Sequence, residues 1–152
     1  MISVCIITKN EKENLKCCLS HLLGYGFELV VVDTGSTDGT IQMARQYTEA
    51  VYEFEWCDDF AKAKNFAVSK AKNDMVLVID SDEYLRSINQ KELEKQIQNN
   101  PKAVGRIRLI NQIMRGEELC ENTEYINRLF DRRYYQYKGR IHEQLTSAPG
   151  QA

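Results

Sequence analysis

The sequence predicts an α/β fold in which helices flank a mostly parallel sheet and antiparallel strands form the C-terminal part. Two observations support this prediction. First, strand-like and helix-like segments alternate from Ile2 to Asp80, an order that is typical of parallel sheets with helices on their faces. Second, the strand-like segments are uninterrupted apolar runs, which indicates strands that are covered on both sides.

The elements of the first half follow from local patterns. Apolar runs predict strands over residues 2–8, 27–33, 50–56 and 75–80. Apolar residues at helical spacing predict a helix from residue 12 to a stop at Gly24 or Gly26. Two further helices are predicted over residues 41–47 and 60–72, and the turn TGSTDGT precedes the first of them.

The pattern changes after residue 87. A helix is predicted over residues 88–98, and strand-like segments follow within residues 103–114, 124–132 and 134–145. Pro101 and Gly116 predict turns between these segments. The segments carry polar residues at their edges, and we therefore expect antiparallel strands here.

Length and charge limit the class of protein. A chain of 152 residues suits one compact domain. The net charge of -2 and the scattered lysines and arginines argue against a nucleic-acid-binding protein. The five cysteines match no zinc spacing and indicate reduced thiols. With no signal peptide and no apolar run long enough to span a bilayer, we expect a cytoplasmic protein, and peripheral attachment to the inner face of the membrane stays open.

Polar and acidic side chains follow three of the predicted strands. The first strand ends in TKNE, the second in DTGSTDG and the fourth in DSDE. In a parallel sheet these ends share one edge, and open α/β sheets bind their ligands at that edge. The edge is predicted to carry nine such residues: Thr8, Asn10, Glu11, Asp33, Ser36, Asp38, Asp80, Asp82 and Glu83.

An acidic edge can receive a phosphate group if a divalent cation lies between them. Such a cation takes oxygen ligands, typically one or two carboxylates together with substrate phosphates. Asp80 and Asp82 project to the same side if the extended backbone continues past the strand. The alternative is a helix start in which Ser81 or Asp82 is the N-cap. The D-x-D motif alone is compatible with both.

Four segments resemble the family 2 glycosyltransferases, and more closely the bacterial subgroup related to lipopolysaccharide core glucosyltransferases. They are SVCIITKNEKENLKCCLSHL, ELVVVDTGSTDGT, DDFAKAKNFAVSKAKNDMVLVIDSDEYL and YKGRIHEQL. The resemblance implies the Rossmann-like GT-A fold and a Mg²⁺ or Mn²⁺ ion. It also implies inverting transfer from a nucleotide-sugar donor, with a UDP-sugar favoured, to a glycan or lipid-linked acceptor in cell-envelope synthesis. Residues 1–145 would form the catalytic domain, a truncated core, and residues 146–152 a flexible tail.

The resemblance also implies roles for individual residues. Asp33 would accept a hydrogen bond from the uracil imide, and Asp80 would lie near the ribose. Lys64 stands where the subgroup usually has arginine and would face the diphosphate, although a solvated helix lysine is the alternative. The nucleotide is thus assigned to Thr8, Asn10, Glu11, Asp33, Lys64, Asp80 and Ser81. The metal is assigned to Asp82 and His142.

The general base is the residue that the sequence identifies least directly. Inverting transfer needs a base that takes the proton of the acceptor hydroxyl. Glu143 is favoured, with Glu124, and Glu117 or Glu118, as alternatives. We expect the last segment to fold back across the sheet edge, so that His142 faces the D-x-D motif and Glu143 lines the acceptor side. For His142 the alternative is a hydrogen-bonded strand histidine.

Three other functions compete with a transferase. A Mg²⁺-dependent phosphatase of haloacid-dehalogenase type also uses a D-x-D strand end, but its nucleophilic aspartate normally follows the first strand and not the fourth. A nucleotide-binding module without catalysis would bind nucleotide and turn over no sugar donor. A scaffold with a solvated acidic edge would show no metal-dependent ligand binding.

Overall fold

A computed structural model describes residues 1–139 and 144–148 of the chain. The first half contains β1 (Ile2–Thr8), α1 (Lys12–Ser20), β2 (Glu28–Asp33), α2 (Thr40–Ala44), β3 (Val51–Glu53), α3 (Phe60–Ser69) and β4 (Met75–Asp80). The second half contains α4 (Gln90–Asn99), β5 (Gly105–Arg115), β6 (Glu118–Asp131), β7 (Tyr135–Lys138) and β8 (Gln144–Ser147). None of the helices in these two ranges has the length and apolar character needed to cross a membrane.

Six strands form one sheet in the order β3-β2-β1-β4-β6-β5. β1 pairs in parallel with both β2 and β4, and β2 pairs in parallel with β3. β6 is antiparallel to β4 and to β5. β7 and β8 form a separate antiparallel pair. The predicted fold class is therefore confirmed: a mostly parallel α/β sheet with antiparallel strands in its C-terminal part.

Both faces of the sheet are buried, because successive residues of each central strand point to opposite sides. Val4 and Ile6 pack with α1 and α2 on one face. Cys5 packs with α3 on the other face, together with Tyr137 of β7. Burial on the second face raises the pKa of the Cys5 thiol to about 12, so this cysteine is an inert apolar group. The uninterrupted apolar strands of the sequence are explained by this double cover.

Element boundaries differ from the predicted ones where single residues interrupt the pattern. The strand predicted over residues 50–56 pairs only at Val51–Glu53, and Asp58 soon turns the chain with a φ of 57°. The strand predicted over residues 134–145 is interrupted after Lys138 by Gly139, whose φ is 112°. A left-handed backbone of this kind does not continue a strand.

β6 is longer than predicted, and both β5 and β6 extend beyond the parallel sheet. β4 pairs with β6 only from Leu129 to Asp131, and the two strands run in opposite directions. The earlier residues of β6 therefore continue past the carboxyl end of β4, paired with β5 alone. Gly116, with a φ of 65°, closes the turn that was predicted at this position. Residues 105–127 thus form a two-stranded ribbon that leaves the sheet at its carboxyl edge.

The carboxylate of Asp131 makes the stability of the fold depend on pH. Its carboxylate is 3% exposed and accepts hydrogen bonds from the Arg133 backbone N–H at 2.9 Å and from Arg133 Nη2 at 2.7 Å. Burial raises the pKa of Asp131, but the bonds and charge of Arg133 outweigh it and hold that pKa below its ordinary value. Ionised Asp131 therefore stabilises the fold above the pKa of an unfolded aspartate, and this contribution is lost as the pH falls.

We expect Asp131→Asn to lower the free energy of unfolding by about 1 kcal/mol at pH 7, because Arg133 is exposed and the ion pair is screened. The difference from the wild type should close as the pH falls below about 4. Urea denaturation of both proteins between pH 7 and pH 3 measures it. A difference that stays constant over this range would contradict the assignment.

Candidate active site

The loops after β1 and β2 are joined to each other at the carboxyl edge. Asn10 has a φ of 50°, and its backbone N–H donates to Ser36 Oγ at 2.8 Å. Its side-chain oxygen accepts from the Thr37 N–H at 2.8 Å. Asparagine tolerates the left-handed backbone better than most residues, which suits it to this position. The predicted site residue Asn10 therefore fixes the relative position of the two loops.

Asp33 lies at the end of β2 and is 1% exposed. One carboxylate oxygen accepts from the N–H groups of Gly35 and Ser36, at 2.9 Å and 2.8 Å, and the other accepts from the Ser36 hydroxyl. Gly35 has a φ of 120°, which only glycine adopts readily. The side chain of Asp33 thus holds its own turn in shape at the sheet edge.

Thr8 is another buried polar residue at this edge. It ends β1 with 3% of its surface exposed, and its carbonyl accepts from the Thr34 N–H at 3.0 Å. Its hydroxyl has no hydrogen-bond partner among the described residues. A buried hydroxyl without a partner costs free energy, and a hydrogen bond from a polar ligand group to this oxygen would remove that cost.

The D-x-D segment is a turn that Arg128 of β6 holds in place. The Glu83 carboxylate accepts from the Asp80 N–H at 2.7 Å, and the Glu83 N–H donates to the Asp80 carbonyl at 3.0 Å. Arg128 donates to both Glu83 oxygens, at 3.0 Å and 3.3 Å, and lies 3.5 Å from Asp80 Oδ2. Ser81, between the two aspartates, is buried. Two of the three carboxylates of this turn therefore already have a cationic partner.

The alternative in which this turn starts a helix is wrong. α4 begins only at Gln90, and its N-cap is Asn89, whose side chain accepts from the Glu92 N–H at 3.1 Å.

Asp82 makes no ion pair with any described residue and has an exposed side chain. Partial loss of hydration, followed by repulsion from Asp80 and Glu11, raises the pKa of Asp82 above its ordinary value. Glu11 is the N-terminal cap residue of α1, and its carboxylate accepts from the Asn14 side chain at 3.2 Å. Carboxylate charges from two loops thus converge where the sequence predicted a cation.

The described residues contain no group of three or more histidine, cysteine or acidic side chains that is placed to hold a metal ion. A divalent cation that is bound together with a diphosphate typically has one or two carboxylate ligands and takes the others from the phosphates and water. Asp82 is the residue that would hold it, with Asp80 beside it.

Lys64 lies on α3 and is not a solvated helix lysine, because only 8% of its surface is exposed. Its ammonium lies 5.0 Å from the centre of the Tyr137 ring, a cation–π contact. Asn65, the next residue, donates to the Tyr137 carbonyl at 2.9 Å and accepts from the Tyr137 N–H at 2.8 Å. Asn65 therefore attaches β7 to α3, and the Tyr137 ring holds the Lys64 side chain in place.

The candidates for the general base lie in different regions. Glu124 is exposed on β6, a few residues beyond the carboxyl end of β4. Glu117 lies in the turn of the ribbon, and at a strand rise of about 3.4 Å per residue it is roughly 31 Å along the strand from Ile126. His142 and Glu143 lie outside the described residues.

Sequence reasoning missed Arg128. It follows Asn127 at a polar pair within the predicted strand, where an arginine is expected to face solvent. Only the pairing of β6 with β4 brings it to the D-x-D turn. The acidic turn itself could have indicated such a partner, because three carboxylates this close together need more than one compensating positive charge.

The comparison with known proteins decides the family. Residues 3–148 match the family model described as Glycosyl transferase family 2. The chain belongs to this family. A TPR repeat-containing protein of Synechococcus elongatus is 34% identical over 134 residues, which cover 87% of this chain and 32% of that protein. An uncharacterized glycosyltransferase of Rickettsia typhi is 38% identical over 93 residues, which cover 61% of this chain and 32% of that protein.

Solved glycosyltransferase structures share the fold of this family 2 chain. Staphylococcus aureus TarS 1-349 in complex with UDP-GlcNAc has a TM-score of 0.59 and 28% identity, over 68% of this chain and 32% of that one. The mannosyltransferase PcManGT of Pyrobaculum calidifontis, in complex with GDP-Man and Mn²⁺, has a TM-score of 0.50 and 29% identity, over 57% of this chain and 28% of that one. The GT-A prediction is confirmed. The chain spans about a third of the length of the relatives it matches.

Proposed function

We propose that this family 2 chain transfers a sugar from a UDP-sugar to an acceptor hydroxyl, with inversion and with a Mg²⁺ or Mn²⁺ ion at Asp82. The observation that carries the proposal is the carboxyl edge of the sheet. There Asp82, without an ion-pair partner among the described residues, faces the charges of Asp80 and Glu11 beside two interlocked loops. Such an edge favours a cation and, through it, a diphosphate.

The comparisons support this class of donor. TarS forms a complex with UDP-GlcNAc, and PcManGT forms one with GDP-Man and Mn²⁺. Sugar linked to a nucleoside diphosphate is the chemistry that these complexes have in common. The proposal that the nucleobase of the donor is uracil rests on Asp33.

We assign the nucleotide to the two loops. The Asp33 carboxylate has about four acceptor sites, and its own turn uses three of them. The fourth is proposed for the imide N–H of the base. The hydroxyl of Thr8 is proposed for a polar group of the nucleoside, and Asn10 positions both loops. Glu11, Asp80 and Ser81 complete the nucleotide side of the site.

The transfer step needs a stabilised leaving group and a base. The cation supplies Lewis-acid stabilisation of the leaving diphosphate when it is bound. Lys64 is proposed to add a positive charge on the α3 side of that diphosphate. The base must then take the proton of the acceptor hydroxyl on the opposite side of the sugar. Glu143 keeps this role as a proposal, with Glu124 next, while the distance along the ribbon argues against Glu117.

The wider setting is proposed on the same basis. Residues 1–145 are the proposed catalytic domain, acting on a glycan or lipid-linked acceptor of the cell envelope from the cytoplasmic side. The resemblance to lipopolysaccharide core glucosyltransferases is the basis for that pathway. Neither the phosphatase nor the pure binding module gains support, because the D-x-D turn follows β4 and the family is one of transferases.

A thermal-shift screen of UDP-, GDP- and dTDP-sugars, with Mn²⁺ and with EDTA, tests the donor class. A ligand that binds only the folded state adds about 2.7 kcal/mol of stability at a hundred times its dissociation constant. UDP-sugars with Mn²⁺ should give the largest shift. Stabilisation by GDP- or dTDP-sugars alone would reject the uracil assignment, and the absence of any shift with all donors would reject the proposed function.

A further inference from the structure

Arg128 has no role in the proposed function so far, although it contacts the D-x-D turn at several atoms. Its side chain is 12% exposed, and it faces Glu83, which is 18% exposed, and Asp80, which is half exposed. Its guanidinium also donates to the carbonyl of Val78 in β4 at 3.2 Å. A planar guanidinium can make these bonds at once because its N–H groups form a rigid fork.

A β-bulge aims Arg128 at the turn. Gly105 of β5 opposes Leu129, but the next residue, Arg106, opposes Asn127, so Arg128 is one extra residue on β6. Bulges of this kind redirect a side chain and are common beside active sites. Gly105 permits the close approach, since a β-carbon there would lie 2.9 Å from Leu129 Cβ. The local sequence of the two strands therefore favours the contact with the turn.

We propose that Arg128 is the positioning residue of the D-x-D turn: by binding Glu83 and Asp80 it fixes the turn and leaves Asp82 as the carboxylate that faces the cation. Glu83 is then a part of this lock and not a metal ligand, because its oxygens are bonded to Arg128 and to the Asp80 N–H. The lock also sets the charge, since one guanidinium against three carboxylates leaves two negative charges for a divalent ion. This inference rests on the proposed function.

Arg128→Lys tests the proposal, with Arg86→Lys as the matched control. Lysine keeps the positive charge at residue 128 but loses the two-pronged contact with Glu83. Arg86 is also an arginine close to the D-x-D turn, and it pairs with Glu121 of the ribbon at 3.3 Å, but both side chains are about half exposed. UDP is titrated calorimetrically into each protein, once with Mn²⁺ and once with EDTA, at a temperature at which all are folded.

Arg128→Lys should weaken UDP binding in Mn²⁺ about 10-fold, the lower end of the effect of groups that orient metal ligands. Binding in EDTA should not change, and Arg86→Lys should change neither value. A lower melting temperature of Arg128→Lys with an unchanged dissociation constant in Mn²⁺ would mean a purely structural role and would overturn the proposal.

Glu83→Gln provides a second variant in case Arg128→Lys does not fold. It keeps the shape of the side chain and removes the charge that Arg128 binds, so the same selective loss in Mn²⁺ is expected. Wild-type affinity of Glu83→Gln in Mn²⁺ would overturn the lock. The wild-type protein distinguishes failure of the proposed function from failure of the role of Arg128. If UDP binding to the wild type does not depend on Mn²⁺, the proposed function itself fails. If it depends on Mn²⁺ in the wild type and both variants bind UDP equally well, only the role of Arg128 is removed.

Discussion

Asp82→Asn is expected to remove the Mn²⁺-dependent part of UDP binding, with a loss of affinity of about 100-fold. Groups that merely orient metal ligands contribute about 10–100-fold, and the loss of a ligand itself should reach at least the upper end of that range. The variant should also be as stable as the wild type or slightly more stable. Lost hydration and repulsion from Asp80 and Glu11 raise the pKa of Asp82, so its ionised form destabilises the free protein near neutral pH.

The measurement combines calorimetric titration of UDP in Mn²⁺ with thermal unfolding of the free protein. Glu94→Gln is a suitable control, because Glu94 is an exposed carboxylate on α4, outside the D-x-D turn. It should bind UDP like the wild type. Equal affinity of Asp82→Asn and the wild type in Mn²⁺ would show that Asp82 does not hold the cation. A large fall in melting temperature would instead assign Asp82 a structural role.

Phe130→Ala is expected to cause the largest loss of stability, about 3–5 kcal/mol. Phe130 is fully buried in β6, opposite Val76 of β4, and its ring packs edge-on against Tyr137 at 5.6 Å between centroids. Truncation leaves a cavity between the sheet and β7, and it also removes an aromatic contact worth about 0.5–1.5 kcal/mol. Because Tyr137 also contacts Lys64, the cavity lies under a proposed diphosphate ligand.

Urea denaturation measures this loss, and Phe60→Ala serves as the control. Phe60 also packs against an aromatic ring, that of Trp56 at 4.8 Å, but it is 42% exposed at the start of α3. Its truncation should cost less than about 1 kcal/mol. Similar losses for the two variants would contradict the burial of Phe130 between the sheet and β7.

The parallel half of the fold could be predicted because its strands are covered on both faces. That burial leaves an uninterrupted apolar run in the sequence, as in Met75–Asp80. The carboxyl edge followed from the same topology, so the neighbourhood of Asp33, Asn10 and the D-x-D turn was predictable. The length of β6 was not, because it pairs mainly with β5 and the two strands carry exposed residues such as Tyr125 and Met114.

The partner of the acidic turn could not be read from the sequence for two physical reasons. Arg128 is separated from Glu83 by 45 positions, and the contact depends on the antiparallel pairing of β6 with β4. The bulge then breaks the alternation by which a strand residue is assigned to a face. The sequence predicted a divalent cation between the acidic edge and a phosphate group. In the structure, Arg128 binds Asp80 and Glu83, and Asp82 is the carboxylate that we propose for the cation.

The most direct measurement of the central claim is a calorimetric titration of UDP into the wild-type protein, once with excess Mn²⁺ and once with EDTA. The claim is that the carboxyl edge binds a nucleoside diphosphate through a cation at Asp82. Mn²⁺ should therefore tighten UDP binding by at least 10-fold, which corresponds to about 1.4 kcal/mol. The same dissociation constant in Mn²⁺ and in EDTA would contradict the account.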